Sequence, residues 1–116
     1  MISTHVLDTA RGRPAAGVPV MLQLVPTPGQ PATRGREIAR GATDADGRIR
    51  ELVAEGASLG AGTYSLRFDT AAYFASFGVE AFYPEVSVVF VVRDTTQHYH
   101  VPLLLSPYGY STYRGS

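Results

Sequence analysis

The sequence of 116 residues contains no cysteine, no lysine and no asparagine. The first absence removes thiol nucleophiles, thiolate metal sites and disulfides. The second makes all ten basic residues arginine, which excludes Schiff-base chemistry and a phosphate-loop lysine. Without asparagine there is no N-glycosylation acceptor. Neither sign of charge is in excess: ten Arg balance ten Asp and Glu, for a formal net charge of +0. A neutral chain has no electrostatic pull toward a polyanion, so nucleic acid and anionic membrane surfaces are poor partners. No stretch approaches the roughly 18 apolar residues that cross a bilayer. Met1 to Asp8 has neither the basic nor the apolar region of a secretory signal, so a cytoplasmic location is the expectation.

What remains is a globular composition, 45% hydrophobic and 17% charged. The length suits one domain, residues 1–116, able to bury a core without covalent staples. Short apolar runs separated by Gly, Pro and Asp punctuation predict an all-β sandwich of seven to eight strands. The strands are expected at residues 3–8, 18–25, 37–43, 48–53, 63–69, 86–93, 98–105 and 108–114. Residues 11–14 and the Asp44-Ala45-Asp46-Gly47 run read as turns, and the proline-rich stretch 26–36 as a loop. In the strand at 63–69, Tyr64, Leu66 and Phe68 should face inward and Ser65, Arg67 and Asp69 outward. One short helix is predicted at residues 70–77, capped by Thr70, with Tyr73, Phe74 and Phe77 on one side and Gly78 at its end.

Two strands are apolar on both faces. Val86, Val88, Phe90 and Val92 alternate with Val89 and Val91, and Val101, Leu103 and Leu105 alternate with Pro102 and Leu104. A two-layer sandwich buries only one face of each sheet, so the second face needs a cover. Another copy of the chain is the favoured cover, and a loop folded over the sheet is the alternative.

The residues able to do chemistry are few. His98 and His100 stand two apart and share a strand face, and His5 is the only other histidine. A lone strand histidine is commonly structural, but this pair lies on the face expected to meet a partner. A His-x-His pair with a third histidine can also hold zinc. That reading is the weaker, because no carboxylate follows at ligand spacing. Arg48 directly follows the Asp46-Gly47 turn; it is either a solvated turn residue or a planar donor to a carbonyl, urea or carboxylate group. Tyr108, Tyr110 and Tyr113 with Ser111, Thr112 and Ser116 make the last segment dense in hydroxyls and aromatic rings. No nucleophile elbow, phosphate loop or calcium loop is present.

Three blocks carry a resemblance: Ser3-Thr4-His5-Val6-Leu7-Asp8, Thr43-Asp44-Ala45-Asp46-Gly47-Arg48, and residues 98–116, HYHVPLLLSPYGYSTYRGS. Together they resemble the transthyretin-like 5-hydroxyisourate hydrolases over essentially the whole chain. The closing Tyr-Arg-Gly-Ser separates those hydrolases from transthyretin, which has Lys at the position of His5 and Glu at that of Arg48. The resemblance implies a prealbumin-type sandwich and a homotetramer built as a dimer of dimers, with active sites between dimers and no cofactor or metal. It implies hydrolysis of 5-hydroxyisourate to 2-oxo-4-hydroxy-4-carboxy-5-ureidoimidazoline in urate degradation. His5, Arg48 and His100 then match the catalytic positions, and Tyr113, Ser111, Ser116 and His98 join His5 and Arg48 as substrate contacts. A carrier of the transthyretin type, binding a small molecule without chemistry, is the alternative function.

Overall fold

The structure, a computed structural model, describes residues 2–26, 35–54, 57 and 59–116. Among them the chain forms β1 (Ile2–Asp8), β2 (Arg13–Pro14), β3 (Pro19–Leu24), β4 (Arg36–Ala42), β5 (Arg48–Val53), β6 (Gly62–Phe68), α1 (Thr70–Ala75), β7 (Val86–Val92), β8 (Tyr99–Ser106) and β9 (Gly109–Thr112). Two sheets result. One has the order β2-β1-β8-β9 with β5 also on β1, and the other has the order β4-β3-β6-β7. The expected all-β sandwich with one short helix is observed. Residues 27–34 of the proline-rich loop, and 55, 56 and 58 of the loop before β6, lie outside the described residues.

Alternation along the strands builds the core between the sheets. β1 turns Ile2, Thr4, Val6 and Asp8 inward, and β8 turns Tyr99, Val101, Leu103 and Leu105 to meet them. From the other sheet come Val20 and Leu22, then Tyr64, Leu66 and Phe68, then Val86 and Val92. Each fully buried Val, Leu or Phe contributes about 1.5–3 kcal/mol of transfer free energy. Ser65, expected outside, is also buried. Val89 and Val91 point outward at 61% and 48% exposure, so the second apolar face of β7 is open in the single chain. No helix among the described residues is long and apolar enough to cross a membrane.

Three local expectations need correction. Residues 11–14 do more than turn: Gly12, at φ 66, folds the chain back so that Arg13 and Pro14 pair with Asp8 and Leu7. This adds a ninth strand, and proline is tolerated there because β2 is an edge. The cap of α1 is Asp69, whose Oδ1 accepts from the Ala72 amide at 3.0 Å, and the helix closes at Ala75. Thr70 is instead buried and donates its hydroxyl to the Tyr83 carbonyl. Of the three helix aromatics Tyr73 and Phe74 are buried, while Phe77 is exposed beneath the Arg11 guanidinium at 3.9 Å. The Tyr73 hydroxyl donates to Asp8 Oδ2 at 2.8 Å. Asp8, buried at the end of β1, also accepts from the Ala10 and Arg11 amides, so its carboxylate is fully engaged. Burial, and then the bond to Asp8, push the Tyr73 phenol up to about 12.

Candidate active site

β1 is the organising element, because it has a chemically distinct strand along each edge. On one side β5 runs antiparallel and sets Arg48 opposite His5. On the other β8 runs parallel and sets His100 opposite Ser3 and Pro102 opposite His5. Since Ile2, Thr4 and Val6 face the core, Ser3 and His5 face away from it, as do His100 and Arg48 beside them. Residues 97 positions apart thereby share one patch on the outer face of the five-stranded sheet. His98, expected within the strand, lies just before β8 and reaches the same patch.

The loop entering β5 fixes two of these groups. Asp44 Oδ1 accepts from the amides of Asp46 at 2.9 Å and Arg48 at 3.0 Å, an Asx turn that sets where Arg48 starts. Those bonds hold the Asp44 carboxyl below its usual range, the Arg48 amide contributing most. Gly47 completes the turn at φ 74, where a Cβ would meet the Val6 carbonyl at 2.4 Å. His5 Nε2 lies 3.0 Å from the Asp46 carbonyl. A carbonyl only accepts, so His5 carries its proton on Nε2 and, when neutral, presents the Nδ1 lone pair. Ser3, Arg48 and Arg50 line a crevice of about 170 Å³ at this spot.

His100 is held from three directions. Its Nδ1 is 2.7 Å from Ser3 Oγ, its carbonyl accepts from the Gly115 amide at 2.8 Å, and its ring lies against Gly115. A Cβ on Gly115 would stand 2.4 Å from His100 Cδ2, so only glycine fits there. Burial, then the positive charge of Arg48, then His98 and His5, hold the His100 imidazole below its ordinary value of 6.5. Ser3 Oγ is also 2.7 Å from His98 Nε2. Ser3 is itself only 6% exposed. Among the described residues no three His, Asp or Glu side chains are arranged to hold a metal ion.

The structure thus gathers His5, Arg48, His98 and His100, and arranges the final segment around them. Ser111 pairs with Leu104 and shares the His100 face at one remove. Tyr113 is 58% exposed and, with His100, Arg114 and Val89, lines an adjoining groove of about 310 Å³ beside β7. Ser116 is exposed just past Gly115. Arg114 anchors the segment, donating to Gln97 Oε1 at 2.9 Å with its guanidinium 4.9 Å from the Tyr99 ring centre. Ser3 and Gly115 join the site although their residue types do not mark them as site residues. Ser3 shares the odd positions of β1 with His5, which was a usable signal, but its pairing with His100 depends on the parallel register.

The HIUase/transthyretin family model matches residues 2–115. The chain belongs to that family. Within it, the 5-hydroxyisourate hydrolase of Salmonella dublin is 46% identical over 117 residues, covering 100% of this chain and 81% of that protein. The structure of Klebsiella pneumoniae 5-hydroxyisourate hydrolase matches with a TM-score of 0.80 at 39% identity, over 99% of this chain and 98% of that one. Sea bream transthyretin in complex with thyroxine matches with a TM-score of 0.86 at 34% identity, over 98% and 93%. Backbone likeness therefore does not separate hydrolase from transthyretin within the family. The side chains on the β1 face have to.

Proposed function

We propose that the chain is a 5-hydroxyisourate hydrolase that opens the six-membered ring of its substrate to 2-oxo-4-hydroxy-4-carboxy-5-ureidoimidazoline. The observation that carries this reading is the juxtaposition of the His100 imidazole with Arg48 and His5 on one sheet face. The depressed His100 value keeps its lone pair available at neutral pH, as a general base requires. With Nδ1 taken by Ser3, the free position is Nε2, which has no hydrogen-bond partner among the described residues. There it removes a proton from water as the oxygen attacks the ring amide carbonyl. The carbon–nitrogen bond then breaks, and the proton goes to the leaving ring nitrogen. Arg48 directs its N–H groups at the carbonyl oxygen as charge grows on it; losing a donor of this type costs about 3 kcal/mol of barrier. His5 accepts a substrate N–H or O–H at Nδ1, the nitrogen left open by its bond to Asp46. His98, Ser111, Tyr113 and Ser116 form the polar rim that contacts substrate.

The same reading includes assembly as a homotetramer, a dimer of dimers. β7 and β9 are the edge strands on the side where Val89, Val91, Tyr110 and Tyr113 are exposed, a combination that favours pairing with another copy. The test is direct. 5-Hydroxyisourate is generated from urate in situ and its absorbance decay is followed with and without the protein. Wild-type protein is expected to accelerate the decay, with His100→Ala and Arg48→Ala slower by about 100-fold or more while still folded. Unaccelerated decay with the wild-type protein overturns the assignment.

A further inference from the structure

Two imidazoles converge on one hydroxyl. Ser3 Oγ lies 2.7 Å from His100 Nδ1 and 2.7 Å from His98 Nε2. A hydroxyl has one proton to give and lone pairs to receive, so in the neutral cluster it donates to one ring and accepts from the other. The tautomers of the two histidines are therefore tied together. When His100 carries its proton on Nδ1, Ser3 donates to His98 and His100 Nε2 is a base. When His98 carries its proton on Nε2, Ser3 donates to His100 and His100 Nε2–H is an acid.

We propose that Ser3 is a positioning residue for the hydrolysis, whose hydroxyl passes a proton between His100 and His98 and so switches His100 from base to acid within one turnover. For turnover this rests on the hydrolase reading above. The step balances. A water O–H bond breaks and its proton goes to His100 Nε2. The His100 Nδ1 proton moves to Ser3 Oγ as the Ser3 proton moves to His98 Nε2. His100 is then neutral with a proton on Nε2, and the positive charge sits on His98. As Nε2 gives its proton to the leaving ring nitrogen, the two shifts run backwards and the starting state returns.

The surroundings favour that direction of charge movement. His100 is half-buried and faces Arg48 from β5 and His5 from β1, both of which oppose a second positive charge. His98 is exposed, so water solvates its imidazolium. Of the other nearby cations, Arg50 pairs with Asp46 at 3.7 Å and Arg114 is turned to Gln97 and the Tyr99 ring. Ser3 is buried, so a water molecule cannot easily replace its hydroxyl in the line.

Long-range proton–nitrogen correlation spectra of the ¹⁵N-labelled protein, from about pH 5 to 8, read which ring nitrogens are protonated. In the wild-type protein His98 and His100 are expected to hold linked tautomers, with one of the two nitrogens that face Ser3 protonated and the other not. Ser3→Ala should unlink the tautomers and lower kcat roughly tenfold or more with little change in KM, moving the acid limb of the pH profile. Ser3→Thr should restore both. Unchanged tautomers and kcat in Ser3→Ala overturn the proposal, as does a kcat loss that leaves the tautomers linked. If neither Ser3 variant folds, His98→Gln decides: its side chain can hydrogen-bond but cannot carry the proton, so wild-type kcat in that variant also refutes the relay. The wild-type spectra do not depend on turnover. Linked tautomers in a protein that leaves 5-hydroxyisourate untouched would refute the hydrolase reading and, with it, the relay's catalytic role.

Discussion

An alanine at position 115 would put a methyl group where the His100 ring already lies. The new Cβ would meet Cδ2 at 2.4 Å, Cγ at 3.2 Å and the His100 Cβ at 3.4 Å. Ordinary carbon contacts begin near 3.5 Å, so the ring or the chain must give way by about 1 Å. If the ring moves, its Nδ1 leaves the 2.7 Å contact with Ser3 and passes beyond hydrogen-bond range. If the chain moves, the Gly115 amide loses the His100 carbonyl at 2.8 Å, and the neighbouring Ser116 is carried away with it. Either displacement misplaces a reacting group by an amount that costs about 100-fold in rate, or about 2.7 kcal/mol of barrier. Stability should fall modestly. Relieving the clash costs about 1–3 kcal/mol and outweighs the smaller entropy that alanine removes from the unfolded chain. The assay is stopped-flow decay of 5-hydroxyisourate with kcat and KM separated, beside a thermal melt of the same variant. Turnover within about threefold of wild type would refute the claim that Gly115 sets the ring.

Tyr73→Phe removes the hydroxyl that bonds the buried Asp8 carboxylate, and urea unfolding should register a loss of about 1–3 kcal/mol with kcat intact. The pH dependence of folding has a definite sign at His100. Its folded value lies below 6.5, so this group's contribution to stability is whole above pH 6.5 and is lost as pH falls through the folded value. Arg48→Gln removes the second-largest cause of that shift, and the His100 titration followed by NMR should move upward toward 6.5 without reaching it, since burial remains. Val89→Arg places a charge on the open face of β7 and should convert the proposed tetramer to smaller species by light scattering, with a melting temperature that no longer rises with concentration.

Periodicity exposed most of the sandwich, because half-buried strands alternate. The inward sets at Tyr64, Leu66 and Phe68 and along β7 needed nothing beyond a period of two. β2 was hidden because two residues give no period, and its pairing depends on the φ 66 that only Gly12 readily adopts there. The cap falls one residue before Thr70 because both Asp and Thr can cap, and the Thr70 hydroxyl donates instead to the Tyr83 carbonyl. At the site, residue types announced His5, Arg48, His98 and His100, since few other side chains in this chain can do the chemistry. Ser3 and Gly115 were not announced. A hydroxyl and a bare Cα acquire their meaning from the parallel register of β1 on β8, and register across 97 residues leaves no trace in local pattern.

That register has a consequence for biosynthesis. β1 leaves the ribosome well before β8, the neighbour along its long edge, has been made. Until then its free edge and apolar face wait unprotected, at risk of mispairing with other nascent chains. A translation product halted before residue 99 would have β1 without that neighbour, and His5 and Arg48 without His100. Shortened messages should therefore yield clumped, inactive material rather than a weaker enzyme.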